Sequence, residues 1–131
     1  MKLLLDTHIV LWSIHEPGRL IRPVAEALEG TENEKWLSPV STWEILLLVE
    51  KGRLKMASAL DEWFSELRGK APLKDAPLTH DVVLETARVR LSGPDPADRF
   101  LVATARVLDL TLVTADSHLI EAQECAILAN R

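Results

Sequence analysis

A chain of 131 residues with 47% hydrophobic and 27% charged residues can bury a core and is too apolar to stay disordered. Its net charge of −5 excludes nucleic-acid binding by overall charge alone, and its single cysteine, Cys125, excludes an internal disulfide and fits a reducing cytoplasm. The opening run Leu3-Leu4-Leu5 is cut by Asp6, far short of a membrane span, and no signal peptide is legible. One soluble, cytoplasmic domain over residues 1–131, with no membrane partner, is therefore expected.

Lys2 to Leu5 reads as a first strand buried on both faces. Asp6-Thr7 follows, and Ile9, Val10, Leu11, Trp12 and Ile14 predict a short helix ended by Pro17-Gly18. Pro23 suits the first turn of a second helix, with Val24, Ala27 and Leu28 inward and Gly30 as its stop. Lys35 to Leu37 is a short strand. Ser38-Pro39 then starts a third helix running to about Lys51, with Gly52 closing it. Ser58 is a candidate cap for a fourth helix, whose stripe is Leu60, Trp63, Phe64 and Leu67. Leu73 to Ala76 is a candidate strand, and Thr79 caps a fifth helix extending to about Leu91, where Gly93-Pro94 breaks it.

The stretch from Asp95 to Asp116 carries the most information. Pro96 precedes a helix from about Ala97 to Leu108, and Leu110 to Val113 is the right length for a buried strand. The helix travels ~18 Å and the strand returns ~13 Å. Asp98, in the first helical turn, and Asp116, past the strand, should therefore meet at one sheet edge. Ser117 to Glu124 looks helical, and Ala126 to Leu128 is a candidate edge strand. Strands alternating with helices imply an α/β fold with a mainly parallel sheet covered on both faces.

Asp6 ends the first strand and belongs at that same edge, the carboxyl end of the strands where open α/β sheets place their sites. Glu44, in the third helix, is a fourth candidate. Each acid has an ordinary reading by itself. Asp98 suits the helix dipole, Asp6 and Asp116 suit turns or caps, and Ser41 with Glu44 matches a capping box. Ser38-Pro39 already starts that helix, however, which leaves Glu44 free to face the site. Four carboxylates in one place repel and call for shared protons or a cation. Oxygen ligands suit Mg²⁺ or Mn²⁺, which can activate a water against a phosphodiester.

LLLDTHIVLW, VSTWEI, DPADRFLVATA and TLVTAD, in this order, resemble the PIN-domain ribonucleases, and among them the VapC-type toxins of toxin–antitoxin pairs. The resemblance spans nearly the whole chain. It implies a three-layer α/β/α sandwich around a central, mainly parallel sheet, and Mg²⁺- or Mn²⁺-dependent endonucleolytic hydrolysis of RNA. Asp6, Glu44, Asp98 and Asp116 match the family's catalytic, metal-holding acids, and Thr7 and Thr114 match the hydroxyl residues flanking the first and last of them. Related sequences often carry a His shortly before DPxDR, where this chain has Ser92-Gly93-Pro94; Asp95 is therefore expected to support the site from behind. A DNA nuclease of similar chemistry and a non-catalytic PIN-like binding module are the alternatives.

Arg99 is a candidate for holding a phosphate or orienting a carboxylate, against an equal expectation of a surface ion pair. His8 and His118 are expected at the surface or behind the site. Lys51-Gly52-Arg53-Leu54-Lys55, the densest basic cluster, could track an RNA backbone or merely suit a helix end. Ile45 to Val49 is apolar at five consecutive positions, more than one helical stripe can bury. With Trp63 and Phe64, residues Ile45, Leu48 and Val49 are candidates for a partner surface, against an equal expectation of packing in the core. The resemblance supplies the partner, a cognate antitoxin protein, and a homodimer is the competing or additional use of that surface.

Overall fold

A computed structural model describes the whole chain except residues 71 and 94. Five strands form one sheet: β1 (Lys2–Leu5), β2 (Glu34–Leu37), β3 (Leu73–Asp75), β4 (Thr111–Thr114) and β5 (Ile127–Ala129). Their order is β3-β2-β1-β4-β5, and every pairing is parallel. Helices α1 (Thr7–His15), α2 (Arg22–Glu29), α3 (Pro39–Glu50) and α4 (Leu60–Lys70) precede α5 (His80–Glu85), α6 (Pro96–Leu108) and α7 (Ser117–Ala122). Among the described residues no helix is long and apolar enough to cross a membrane.

Alternation along the central strand creates the layers. Leu3 and Leu5 enter one core with Ile9, Val24, Ile45 and Trp63, while Leu4 enters the other with Val82, Leu101, Leu112 and Leu119. A strand with both faces covered must be apolar at every position, which accounts for the unbroken leucine run. Burial of a side chain such as Leu3 or Leu4, both without exposed surface, contributes about 1.5–3 kcal/mol.

Most local expectations are met. Ser38 Oγ accepts the Val40 N–H at 3.0 Å and starts α3, and Gly52, at φ 70°, takes the left-handed turn beyond its end. Several boundaries differ: β4 and β5 each lie one residue later than expected, β3 ends at Asp75 rather than Ala76, and α7 ends at Ala122 rather than Glu124. Helix α4 begins at Leu60, and the Trp63 N–H bonds the Ala59 carbonyl, which puts Ala59 rather than Ser58 at the cap position. Thr79 does cap α5, but the helix ends at Glu85 and tightens into a 3-10 turn, Thr86–Arg88, short of Leu91. The Thr86 carbonyl accepts the Val89 N–H that closes this turn, and the carbonyls of Thr86 and Val89 both accept from the Arg99 guanidinium. Of the Gly93-Pro94 breaker, Pro94 lies outside the described residues.

The strand order reverses beside β1. The chain steps from β1 to β2 and β3 on one side, then crosses back to place β4 on the other. The carboxyl ends of β1 and β4 flank this switch point, where adjoining loops diverge and leave a crevice. Leu5 pairs with Val113, and the Asp6 N–H donates to the Val113 carbonyl at 3.0 Å, which extends the ladder by one residue. Asp6 is thereby fixed opposite Thr114.

Candidate active site

A cavity of about 310 Å³ opens at this switch point, bordered by Asp6, Glu44, Asp95, Asp98 and Asp116, with His8 and Trp12. Each acid arrives by a different route. Asp6 follows β1 and caps α1, its Oδ1 accepting the Thr7 N–H at 2.7 Å. Asp116 follows β4 and caps α7, accepting the His118 N–H at 2.8 Å. Asp95 caps α6 by accepting the Ala97 N–H at 3.0 Å, and Asp98 stands in the first turn of that helix. Glu44 comes from within α3. The ordinary capping readings of Asp6 and Asp116 are therefore correct, and they coexist with a place in the site.

Two buried threonines tie the acids together. Thr114 Oγ1 donates to Asp6 Oδ2 at 2.6 Å and accepts the Asp116 N–H at 3.0 Å. Thr7 Oγ1 donates to Glu44 Oε1 at 2.6 Å. Hydrogen bonds to a carboxylate contribute about 1.5–3 kcal/mol each and hold its rotamer. Glu44 bonds Thr7, 37 positions away in sequence, in keeping with a site role rather than a capping box.

The electrostatics are those of crowded anions. Burial, then the charges of Asp95, Asp6, Asp116 and Glu44, push the Asp98 carboxyl from 3.8 up to about 7. Burial raises Glu44 against the relief of its Thr7 hydrogen bond, and Asp6 and Asp95 raise it further. Burial also raises Asp6, although Thr114 and the Thr7 N–H pull it the other way.

An all-oxygen donor set is the chemistry of a hard divalent cation, whose charge would relieve this repulsion. Among the described residues no three acidic, histidine or cysteine groups stand close enough to clasp one ion together. The hydrogen bonds above hold Asp6, Glu44 and Asp116 toward their threonines and caps. The donor set fits an ion of the Mg²⁺ type, which keeps much of its water and takes one or two carboxylates directly.

The remaining candidates divide. Thr7 and Thr114 brace the acids, and Asp95 borders the cavity itself. Arg99 turns away: its guanidinium donates to the carbonyls of Val89 at 2.8 Å and Thr86 at 3.3 Å, and among the described residues it neither orients a site carboxylate nor forms a surface ion pair. One residue past Asp98, it lies about 100° round the helix and faces the 3-10 turn. His8 stands on the cavity wall, and His118 is exposed. Trp12 is a wall residue missed from the sequence; it lies one helical turn after His8, with the Arg19 guanidinium 4.3 Å from its ring centre.

The suggested partner residues also separate. Ile45 and Trp63 are core residues, 1% and 9% exposed, so they offer a partner no free surface. Leu48, Val49 and Phe64 are half-buried, while Trp43 and Leu46 on α3 are exposed. Phe64, Trp43, Leu46 and Leu60 line an apolar cleft between α3 and α4 of about 550 Å³.

A match to the PIN domain family covers residues 3–124. The chain is 32% identical over 117 residues to ribonuclease VapC22 of Mycobacterium tuberculosis, covering 88% of each protein. Its fold superposes on VapBC2 from Rickettsia felis bound to a promoter DNA fragment, with TM-score 0.71, 16% identity and 98% of each chain covered. DNA-bound VapBC from Salmonella typhimurium gives TM-score 0.70 at 16% identity, over 100% of this chain and 99% of that one. A five-stranded parallel sheet between helical layers, acids gathered at its switch point and a family match over most of its length together establish that this chain belongs to the PIN-domain family.

Proposed function

We propose that this protein is a divalent-metal-dependent endoribonuclease, acting in the cytoplasm as the toxin of a toxin–antitoxin pair. The observation that carries the reading is the convergence of five carboxylates on one cavity at the switch point. Its similarity to ribonuclease VapC22 supports RNA as the substrate.

Asp6, Asp98 and Asp116 are the proposed holders of Mg²⁺ or Mn²⁺, one or two of them directly and the rest through the ion's own water, with Glu44 as a further such contact or a water-positioning base. When bound, such an ion would offset the charge of the phosphate oxygens and ease ionisation of an attacking water. Thr114 fixes Asp6 Oδ2 and, through the Asp116 N–H, the position of the last acid. Thr7 holds Glu44 Oε1, which leaves Oε2 for the cavity. Asp95 adds negative charge and sets the start of α6.

The solved structures of this fold include a toxin–antitoxin complex from Klebsiella pneumoniae, with TM-score 0.67, which supports an antitoxin as partner. The cleft between α3 and α4 is the proposed seat for an amphipathic helix, with Leu46, Leu60 and Phe64 as its floor. A basic residue following that helix could reach the acidic cavity and take the ion's place. Self-association is proposed as well. Leu78, Val83, Leu84 and Val107, exposed on or beside the packed pair α5 and α6, are its candidate surface.

Cleavage of matched single-stranded RNA and DNA, with Mn²⁺ and with a chelator, tests the reading. RNA cut only with the ion is the expected result. Preferential cutting of DNA would favour the DNA-nuclease alternative, and ion binding without cleavage of either substrate would favour a binding module.

A further inference from the structure

We propose that the cleft beside the acidic cavity is a nucleotide subsite, in which Lys51 and Arg53 hold a backbone phosphate of a single-stranded RNA and Trp43 stacks a neighbouring base. The proposal rests on the nuclease reading above and names where its substrate is gripped. The cleft has a volume of about 400 Å³ and shares Glu44, His8 and Asp95 with the acidic cavity as common wall. Lys51, Arg53 and Trp43 border it as well. A strand whose scissile phosphate lies at the acids can place a neighbouring unit in this adjoining cleft.

Three features fit that occupant. Lys51 and Arg53 are exposed, and neither belongs to an ion pair among the described residues. The left-handed Gly52 turns the chain between them, and the Arg53 N–H bonds the Leu48 carbonyl at 2.9 Å, which pins the turn to α3. The dipole of α3 accounts for a cation at Lys51, but Arg53 lies beyond the turn. Trp43 is 50% exposed, a large apolar ring left in water next to Glu44. An acidic cavity in a chain of net charge −5 repels a phosphodiester, and cations in the adjoining cleft offset part of that repulsion. Stacking on an indole needs an unpaired base, which selects a single strand over a duplex.

The test uses the full chain carrying Asp98→Asn, so that substrate is not consumed, and a short fluorescein-labelled single-stranded RNA followed by anisotropy. Trp43→Ala should weaken binding about ten-fold, while Trp43→Phe keeps most of it. Lys51→Gln and Arg53→Gln should each lower the slope of log affinity against log salt by about 0.7. A duplex of the same sequence should bind more weakly and ignore Trp43→Ala. With Asp98 restored, Trp43→Ala should lower kcat/KM mainly through KM. All three side chains are exposed, and unchanged urea midpoints confirm that folding is intact. If the three substitutions leave RNA binding and KM unchanged while the wild type cleaves RNA, the subsite is wrong and the nuclease reading stands. If the Asp98→Asn parent binds the strand and loses it on substitution but the wild type never cleaves, the subsite stands and the nuclease reading falls. A parent that binds no single strand overturns the subsite, as does a set of variants that keep RNA and instead lose a co-expressed protein partner.

Discussion

Asp98 is the residue on which the site's charge balance turns. Its carboxyl keeps a proton to about pH 7 in the fold, whereas the ordinary value is 3.8. Between these values the native state binds more protons than the unfolded chain, so stability falls as pH rises across that window. Below it both states are protonated, and above it both are ionised. The upward shifts of Asp6 and Glu44 act with the same sign. In a chelator, the urea midpoint should therefore drop between about pH 4 and pH 7, and Asp98→Asn should flatten the drop. A midpoint that rises over this range would contradict the crowded-anion description. Glu44 makes a second residue-scale test. Glu44→Gln keeps a group that can accept from Thr7 Oγ1 but removes the charge, so turnover should fall at least ten-fold at a nearly unchanged urea midpoint. Unchanged turnover would remove Glu44 from the chemistry. The aspartates were legible in the sequence because each falls next to a strand end or helix start, and Glu44, inside α3, because Ser38-Pro39 already starts that helix. The direction of Arg99 was not, because it depends on a 3-10 turn that replaces the expected end of α5.

Among the elements, α3 holds both a packing question and a site residue. Ser41, one turn before Glu44, is fully buried, and its Oγ has no hydrogen-bond partner among the described residues. An unsatisfied buried hydroxyl costs about 1–3 kcal/mol, and alanine is also the better helix former. Ser41→Ala should therefore raise stability by about 1 kcal/mol, measured by urea unfolding; a loss of that size would show that the hydroxyl is bonded. The same helix shows the limit of pattern reading. Five consecutive apolar residues announce an excess of apolar surface but not which of them turns inward, since that depends on the angle at which α3 meets α1 and α6. The structure turns Ile45 inward and leaves Trp43 and Leu46 outside. Trp63 is likewise core on α4, with Phe64 beside the cleft. Trp63→Ala should cost about 3 kcal/mol of folding stability. Phe64→Ala should cost less and loosen a co-purified antitoxin more. If Phe64→Ala leaves co-purification intact, the α3–α4 cleft is not the antitoxin's seat.

For the molecule as a whole, topology assembles the site. Acids 110 positions apart, Asp6 and Asp116, meet because β1 and β4 are neighbours at the switch point. The down-and-back geometry of α6 and β4, read from lengths alone, already brought Asp98 and Asp116 to one edge. The parallel sheet was legible because buried strands and intervening helices differ in length and period. Trp12 and the Trp43 cleft escaped notice because walls are made by elements distant in sequence. The central claim is that this edge is an ion-dependent catalytic centre. Single-turnover cleavage of a labelled RNA across a Mn²⁺ titration, by wild type and Asp98→Asn of equal helical content, tests it most directly. Ion-dependent, saturable cleavage by the wild type and at least a hundred-fold loss in the variant, about 2.7 kcal/mol of barrier, are the expected results. Cleavage at the same rate by both proteins, or by the wild type in a chelator, would contradict it.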